Sequence, residues 1–147
     1  MRLLVSASGR EPSGASRQGD LDTILLAHAR DPRGTGELQP PRQTASRSNP
    51  LCGDEVTVDV RVRDGRIAGI AHRERACALT VASASVMVGA LVDRPVEEVR
   101  PLADALARAL RDGATLPDTL APLGSARLFP ARRRCVLLPW EALLEAI

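Results

Sequence analysis

The chain has few aromatic residues, no lysine and no long apolar run. Phe129 and Trp140 are its only aromatic residues, so Leu, Val, Ile and Ala must fill its core. The chain has 20 arginines and no lysine. Its net charge of +2 is too small to indicate nucleic-acid binding. No apolar segment reaches the roughly 20 residues that a membrane-spanning helix needs. Neither nucleic acid nor a membrane is therefore expected as a partner.

The odd number of cysteines argues against a secreted disulfide framework. Residues 1–5 are apolar only briefly, and the Ser, Gly, Arg and Pro of residues 6–19 do not continue the pattern of a signal peptide. The cytoplasm is the expected compartment. We expect residues 1–20 to form a disordered tail and residues 21–147 to form one domain, since the chain has the length of a single ordinary domain.

A hairpin is the clearest local signal. Four valines alternate with polar residues over 56–63, which predicts a strand with one buried face. Asp64 and Gly65 predict a type I′ turn, and residues 66–72 predict the return strand. Because an antiparallel hairpin returns to its start, Cys52 before it and Cys77 after it should end near one another.

Helices are predicted on both sides of this hairpin. They cover residues 21–30, 78–91 and 96–111, and a short edge strand is expected within residues 37–49. Residues 115–130 read as a loop with at most one helical turn. Pro139 suits the first turn of a last helix over 140–147, which places Cys135 at its start. The predicted fold class is α+β, a small antiparallel sheet with helices packed on one face.

Four residues form a candidate metal centre. Cys52, Asp54, Cys77 and Cys135 supply three thiols and a carboxylate, which is a full tetrahedral shell for Zn²⁺ or a set of anchors for an iron–sulfur cluster. Single free cysteines are often no more than small buried hydrophobes, so only the combination carries weight. Three arginines, residues 132–134, precede Cys135 and are expected to lower the pKa of its thiol.

Other cysteine chemistries fit the sequence poorly. A zinc deaminase needs a His-x-Glu motif with a Cys-x-x-Cys pair, and a zinc finger needs paired Cys-x-x-Cys knuckles; the sequence has neither. A thiol hydrolase needs a histidine base. His28 is expected to close the first helix, and His72 lies on the return strand, so neither is expected to serve as that base or to bind the metal.

Three motifs occur in the order found in a known family. They are Asn-Pro-Leu-Cys-Gly-Asp at residues 49–54, Cys-Ala-Leu-Thr-Val-Ala-Ser-Ala-Ser-Val-Met at 77–87, and Leu-Leu-Ala-His followed by Asp-Pro-Arg at 25–33. The sequence resembles the SufU/IscU iron–sulfur cluster assembly family, also called the NifU N-terminal-like family. The resemblance covers about residues 21–144 and implies the SufU/IscU-like fold.

The C-terminal pattern resembles the SufU-type branch. Phe129, Pro130, Arg132, Cys135 and Trp140 are similar to its Phe-Pro-x-Arg-x-x-Cys-x-x-x-x-Trp ending, whereas IscU-type members have a histidine directly before the third cysteine. This branch implies a zinc-dependent sulfur acceptor that takes persulfide sulfur from a cysteine desulfurase and passes it to a downstream scaffold or acceptor.

The resemblance also implies roles for individual residues. Cys52, Asp54, Cys77 and Cys135 would bind Zn²⁺. Cys52, in an exposed turn beside the exchangeable Asp54, would accept the sulfur, with Cys135 as the alternative acceptor and Arg132 in support. Two other functions stay open, a scaffold that builds a labile [2Fe–2S] cluster on the same cysteines and a purely structural zinc domain.

The chain departs from the family pattern beside the second cysteine. The usual glycines are Glu74 and Ala76, the usual aromatic residue of the return strand is His72, and the usual serine of the second motif is Thr80. We expect Glu74 to place a carboxylate near the site. The four expected ligands are all present.

Overall fold

A computed structural model describes residues 14–147. Its helices are α1 (Gly14–Arg30), α2 (Ala78–Leu91), α3 (Val99–Asp112) and α4 (Pro130–Ala146), and its strands are β1 (Gln43–Asn49), β2 (Asp54–Arg63) and β3 (Arg66–Arg75). Two 3₁₀ segments, Val96–Glu98 and Asp118–Leu128, precede α3 and α4. Within the described residues, no helix is both long enough and apolar enough to cross a membrane.

The sheet is antiparallel with the order β1-β2-β3, which confirms the α+β prediction. Val56, Val58 and Val60 are buried on one face of β2, against α4, as their alternation predicts. The turn to β3 has positive φ at Asp64 (54°) and at Gly65 (76°), in agreement with the predicted type I′ turn. Strand β1 is the edge strand expected within residues 37–49.

The opposite face of β2 carries a buried carboxylate. Asp59 is 0% exposed and accepts hydrogen bonds from Thr44 Oγ1 at 2.7 Å, from the N–H of Leu38 at 3.1 Å and from Arg73 at 3.0 Å. Burial acts to raise the pKa of Asp59, but these hydrogen bonds outweigh it and hold that pKa below its ordinary value. Asp59 thereby fixes the segment that leads from α1 into β1.

Helix α1 begins earlier than predicted. It starts at Gly14 and ends at Arg30, so residues 14–20, expected in the disordered tail, are helical. Residues 1–13 of that predicted tail lie outside the described residues, and the domain boundary at residue 21 stays a prediction.

His28 attaches α1 to α2 through a buried serine. Ser85 Oγ lies 2.7 Å from His28 Nδ1 and accepts a hydrogen bond of 2.8 Å from the N–H of Arg33. Burial, with the Arg33 charge nearby, lowers the pKa of His28 below its ordinary value of 6.5. A neutral His28 can accept a hydrogen bond from the Ser85 hydroxyl, so this histidine closes α1 as expected from the sequence.

The prediction for the C-terminal part of the chain is wrong in two respects. Residues 118–128 form a 3₁₀ segment where a loop was expected, and α4 begins at Pro130 and continues through Pro139. Proline inside a helix costs about 3 kcal/mol, which favours a helix boundary at Pro139. Four large side chains of α4 are buried, each contributing about 1.5–3 kcal/mol, and together they outweigh this cost: they are Val136, Leu138, Trp140 and Leu143.

Candidate metal centre

The turn that carries Cys52 is built around Asn49. The Asn49 side-chain oxygen accepts from the N–H of Leu51 at 3.1 Å, and its carbonyl oxygen accepts from the N–H of Gly53 at 2.8 Å. Gly53 has φ 79°, a left-handed conformation that glycine adopts without steric cost. Asn49 is buried whereas Cys52 is exposed, so the turn presents the Cys52 thiol to solvent.

Asp54, the first residue of β2, is directed at the N-terminus of α2. It is 7% exposed and accepts a hydrogen bond of 3.3 Å from the N–H of Cys77 on Oδ1 and one of 2.8 Å from Thr80 Oγ1 on Oδ2. Cys77 is the N-cap residue of α2, where the helix dipole favours negative charge. The first turn of α2 therefore fixes the Asp54 carboxylate.

Cys135 lies in the second turn of α4, not at the start of a last helix as predicted. Ser83 of α2 donates a hydrogen bond of 2.6 Å to the carbonyl oxygen of Val136, and Trp140 Nε1 donates to Ser83 Oγ at 3.2 Å. Ser83 is 0% exposed and Trp140 is 1% exposed. These contacts fix the turn of α4 that carries Cys135 against α2.

Three of the four predicted ligands converge. The sulfurs of Cys52 and Cys135 and a carboxylate oxygen of Asp54 all lie within 4.8 Å of one another, which defines a possible metal site. Cys77 is not part of this group; its sulfur lies 3.4 Å from Thr80 Oγ1, and its thiol is close enough to Cys135 to raise the pKa of that residue. Cys52 and Cys77 flank the same end of the β2–β3 hairpin, where Glu55 pairs with Arg75, but the four-ligand set stays a prediction.

The expected lowering of the Cys135 thiol pKa is wrong, because this pKa is raised in the structure. Burial, the neighbouring Cys77 thiol and the charge of Asp54 together raise the pKa of Cys135 to about 12, and only the neighbouring Thr80 hydroxyl acts to lower it. The preceding arginines are not among these causes. Cys135 is half-buried within α4, and this burial could not be read from the arginine-rich sequence around it.

The arginines that precede Cys135 have other neighbours. The guanidinium carbon of Arg132 lies 4.6 Å from the centre of the Phe129 ring, a cation–π geometry. Arg133 Nε donates to the carbonyl oxygen of Arg127 at 2.8 Å. Arg132 also lines an open groove of about 440 Å³ between α1 and α2, and its supporting role in sulfur transfer stays a prediction.

Both histidines have structural partners. His72 is 0% exposed, and its Nε2 lies 2.6 Å from the carbonyl oxygen of Arg33. Its Nδ1 lies 2.7 Å from Oε2 of Glu74. The Glu74 carboxylate, which we expected near the metal centre, is thus directed at His72.

Thr80 is the part of the site that sequence reasoning missed. In the sequence it stands out only as a replacement of the usual serine, whereas in the structure it lies in the first turn of α2 beside Cys77. Because α2 begins beside the predicted ligand Cys77, a hydroxyl in its first turn indicates a hydrogen bond to another predicted ligand, here Asp54.

The donor set fits a soft or borderline metal. Thiolates select Zn²⁺ or iron–sulfur clusters over Mg²⁺ and Ca²⁺, which prefer an all-oxygen shell. The small number of donors, two thiols and one carboxylate with Cys77 adjacent, suits a tetrahedral ion.

Known proteins are similar to this chain in sequence and in fold. The family described as NifU-like N terminal domain matches residues 22–147, and the chain belongs to this family. The iron–sulfur cluster assembly scaffold protein IscU of Streptococcus pyogenes serotype M1 is 32% identical over 130 residues, which are 84% of this chain and 80% of that protein. The zinc-dependent sulfurtransferase SufU of Bacillus subtilis is 29% identical over 142 residues, 90% of this chain and 95% of that protein.

A solved structure agrees with this membership. The crystal structure of the N-terminal part of a NifU-like protein from Brucella abortus matches with a TM-score of 0.79 and 30% sequence identity. The match covers 88% of this chain and 94% of that one. The recognition of the family and the predicted fold are both confirmed.

Proposed function

We propose that this protein acts in iron–sulfur cluster assembly as a zinc-dependent sulfur acceptor that takes persulfide sulfur from a cysteine desulfurase. The observation that carries the proposal is the convergence of Cys52, Asp54 and Cys135 within 4.8 Å, with Cys52 exposed to an incoming partner. The similarity to a zinc-dependent sulfurtransferase over 90% of the chain supports it.

Four residues would hold the zinc ion in this proposal. The tetrahedral set consists of Cys52, Asp54, Cys77 and Cys135. Asp54 is the one oxygen donor, and zinc binds it less firmly than it binds the three thiolates. When bound, zinc would keep the thiols deprotonated near neutral pH without oxidising them. Binding would thus overcome the raised pKa of Cys135.

Cys52 is the proposed acceptor. Its thiolate attacks the outer sulfur of the desulfurase persulfide, a new S–S bond forms on Cys52, and the desulfurase cysteine leaves as a thiolate. No external oxidant or reductant is needed, because one S–S bond replaces another. Cys52 is exposed, whereas Cys135 is half-buried with a raised pKa, so Cys52 is more accessible and Cys135 is the alternative acceptor.

A cluster scaffold is the second candidate function. The 32% identity to an IscU scaffold protein favours it, and the same cysteines would then hold a [2Fe–2S] cluster as cargo. Ligand type does not separate the two functions, since zinc and iron both accept thiolates. The residue before Cys135 is Arg134 and not the histidine of the IscU-type pattern, which supports the sulfur acceptor.

Further partners belong to the same proposal. The persulfide on Cys52 would pass to a downstream iron–sulfur scaffold or acceptor. The free thiols that this chemistry needs persist in a reducing compartment, so we place the reaction in the cytoplasm.

Persulfide mapping tests the proposal. The zinc-loaded protein is incubated with a cysteine desulfurase and cysteine, alkylated and analysed by peptide mass spectrometry, with Cys52→Ala as the matched control. The expected result is one added sulfur on Cys52 that is absent from the variant. Added sulfur on Cys135 alone would overturn the choice of acceptor. Assembly of a cluster without added sulfur on the protein would favour the scaffold. If neither a persulfide nor a cluster formed, the protein would be a structural zinc domain.

A further inference from the structure

One buried hydroxyl lies among the donors of the metal centre. Thr80 is 0% exposed, and its Oγ1 lies 2.8 Å from Oδ2 of Asp54 and 3.4 Å from the sulfur of Cys77. It also lies close enough to Cys135 to lower the pKa of that thiol. Thr80 therefore contacts Asp54 and Cys77 directly and lies beside Cys135, while offering no sulfur, carboxylate or imidazole of its own.

A threonine hydroxyl has a single proton to donate. Among its three neighbours, the carboxylate of Asp54 is the nearest and the strongest acceptor, so the Thr80 proton is directed to Oδ2. The Cys77 thiol, 3.4 Å away, then acts as the donor towards Thr80 Oγ1, or gives up its proton to a bound metal.

The other oxygen of Asp54 has a second fixed donor. The N–H of Cys77 reaches Oδ1 at 3.3 Å, a longer contact than the one from Thr80. With both oxygens bonded to the same helical turn, the carboxylate plane cannot rotate freely. Thr80 supplies the shorter of the two hydrogen bonds and so determines how the carboxylate faces Cys52 and Cys135.

We propose that Thr80 is a positioning residue that orients the Asp54 carboxylate for metal binding. This inference rests on the proposed function for the identity of the metal. Hydrogen-bond partners of metal ligands typically change metal affinity by about 10–100-fold when they are removed. Thr80→Val keeps the shape of the side chain and removes the hydroxyl, whereas Thr80→Ser keeps the hydroxyl.

Competition for Zn²⁺ with a chromophoric chelator measures the effect without any desulfurase. We expect Thr80→Val to bind Zn²⁺ about 10–100-fold more weakly than the wild type and Thr80→Ser to bind within a few-fold of it. In the Asp54→Ala background, the same Thr80→Val substitution should leave the affinity unchanged, because the carboxylate that it orients is gone. Urea unfolding of the metal-free variants controls for packing damage.

The outcomes separate this inference from the proposed function. Equal Zn²⁺ affinity of the wild type and Thr80→Val, or an equal loss with and without Asp54, overturns the positioning role alone. A wild-type protein that binds no Zn²⁺ overturns both the zinc proposal and this inference. Failure to accept sulfur with normal Zn²⁺ binding overturns only the proposed sulfur transfer.

Discussion

Nδ1 of His72 lies 2.7 Å from Oε2 of Glu74, and both side chains are almost fully buried. The Nε2 atom of His72 faces the carbonyl oxygen of Arg33, which can only accept, so Nε2 carries a proton. His72 replaces the family's usual aromatic residue and Glu74 replaces its usual glycine. The two replacements are therefore partners of each other. Neither substitution extends the metal centre.

The first prediction is that these two departures are energetically coupled. Glu74→Gly should cost about 2–3 kcal/mol, since it leaves Nδ1 of His72 without its partner and adds a flexible residue to β3. In the His72→Phe background the same change should cost about 1 kcal/mol, the backbone part alone. Urea unfolding of the four proteins of this cycle measures the coupling, and equal costs in both backgrounds would contradict it.

The second prediction concerns Ser83, the donor to the carbonyl oxygen of Val136. Ser83→Ala should lower the free energy of unfolding by about 1–3 kcal/mol, because Trp140 Nε1 loses its acceptor in the interior. Ser46→Ala is the matched control, as Ser46 lies at the surface and bonds to Thr57. It should change stability by less than about 0.5 kcal/mol. Similar losses for both variants would mean that Ser83 has no special role in fixing α4.

The third prediction tests Cys77 as the fourth ligand. The isolated wild-type protein should carry about one Zn²⁺ per chain, and Cys77→Ala should lose metal and thermal stability together. Metal analysis by mass spectrometry and thermal unfolding with and without Zn²⁺ measure the two effects.

The metal-free forms provide the control for Cys77. They should differ little in thermal stability, because Cys77 is exposed and contributes little packing. If the variant retained a full equivalent of Zn²⁺ at wild-type affinity, the site would consist of Cys52, Asp54 and Cys135 without Cys77.

The fourth prediction follows from the lowered pKa of His28. Because the unfolded chain takes up the proton at the ordinary value of 6.5 and the folded protein only at lower pH, stability should fall as the pH decreases through 6.5. His28→Gln keeps a partner for Ser85 and removes the titration. Unfolding of the metal-free proteins between pH 8 and pH 5 should show a smaller decline for the variant, and parallel curves would exclude His28 as the cause.

The hairpin and α2 could be predicted because their signals are local. Alternating valines and an Asp-Gly pair define β2, the turn and β3 within a few residues. The predicted bounds of α2, Ala78 and Leu91, agree with the structure for the same reason. The small apolar residues between Cys77 and Asp93-Arg94-Pro95 have few other favourable conformations.

The start of α4 and the state of Cys135 could not be predicted in this way. Pro139 argues locally for a helix boundary, and only the burial of neighbouring side chains against the sheet reverses that preference. The arginines before Cys135 argue locally for a lowered thiol pKa, but burial and the neighbouring Cys77 decide it in the opposite direction. Both errors arise where contacts distant in sequence outweigh local ones.

Most buried side chains of helix α2 are small and apolar, and packing of such side chains alone leaves the rotation of the helix about its axis weakly specified. Its three buried hydroxyls remove this freedom. Turning the helix by one residue, about 100°, would separate Thr80 from Asp54, Ser83 from Val136 and Ser85 from His28 in a single step. The alternative settings would bury unpaired polar groups, so the hydroxyls discriminate against them. The rotation of α2 about its own axis therefore determines how precisely the donors of the metal centre are placed.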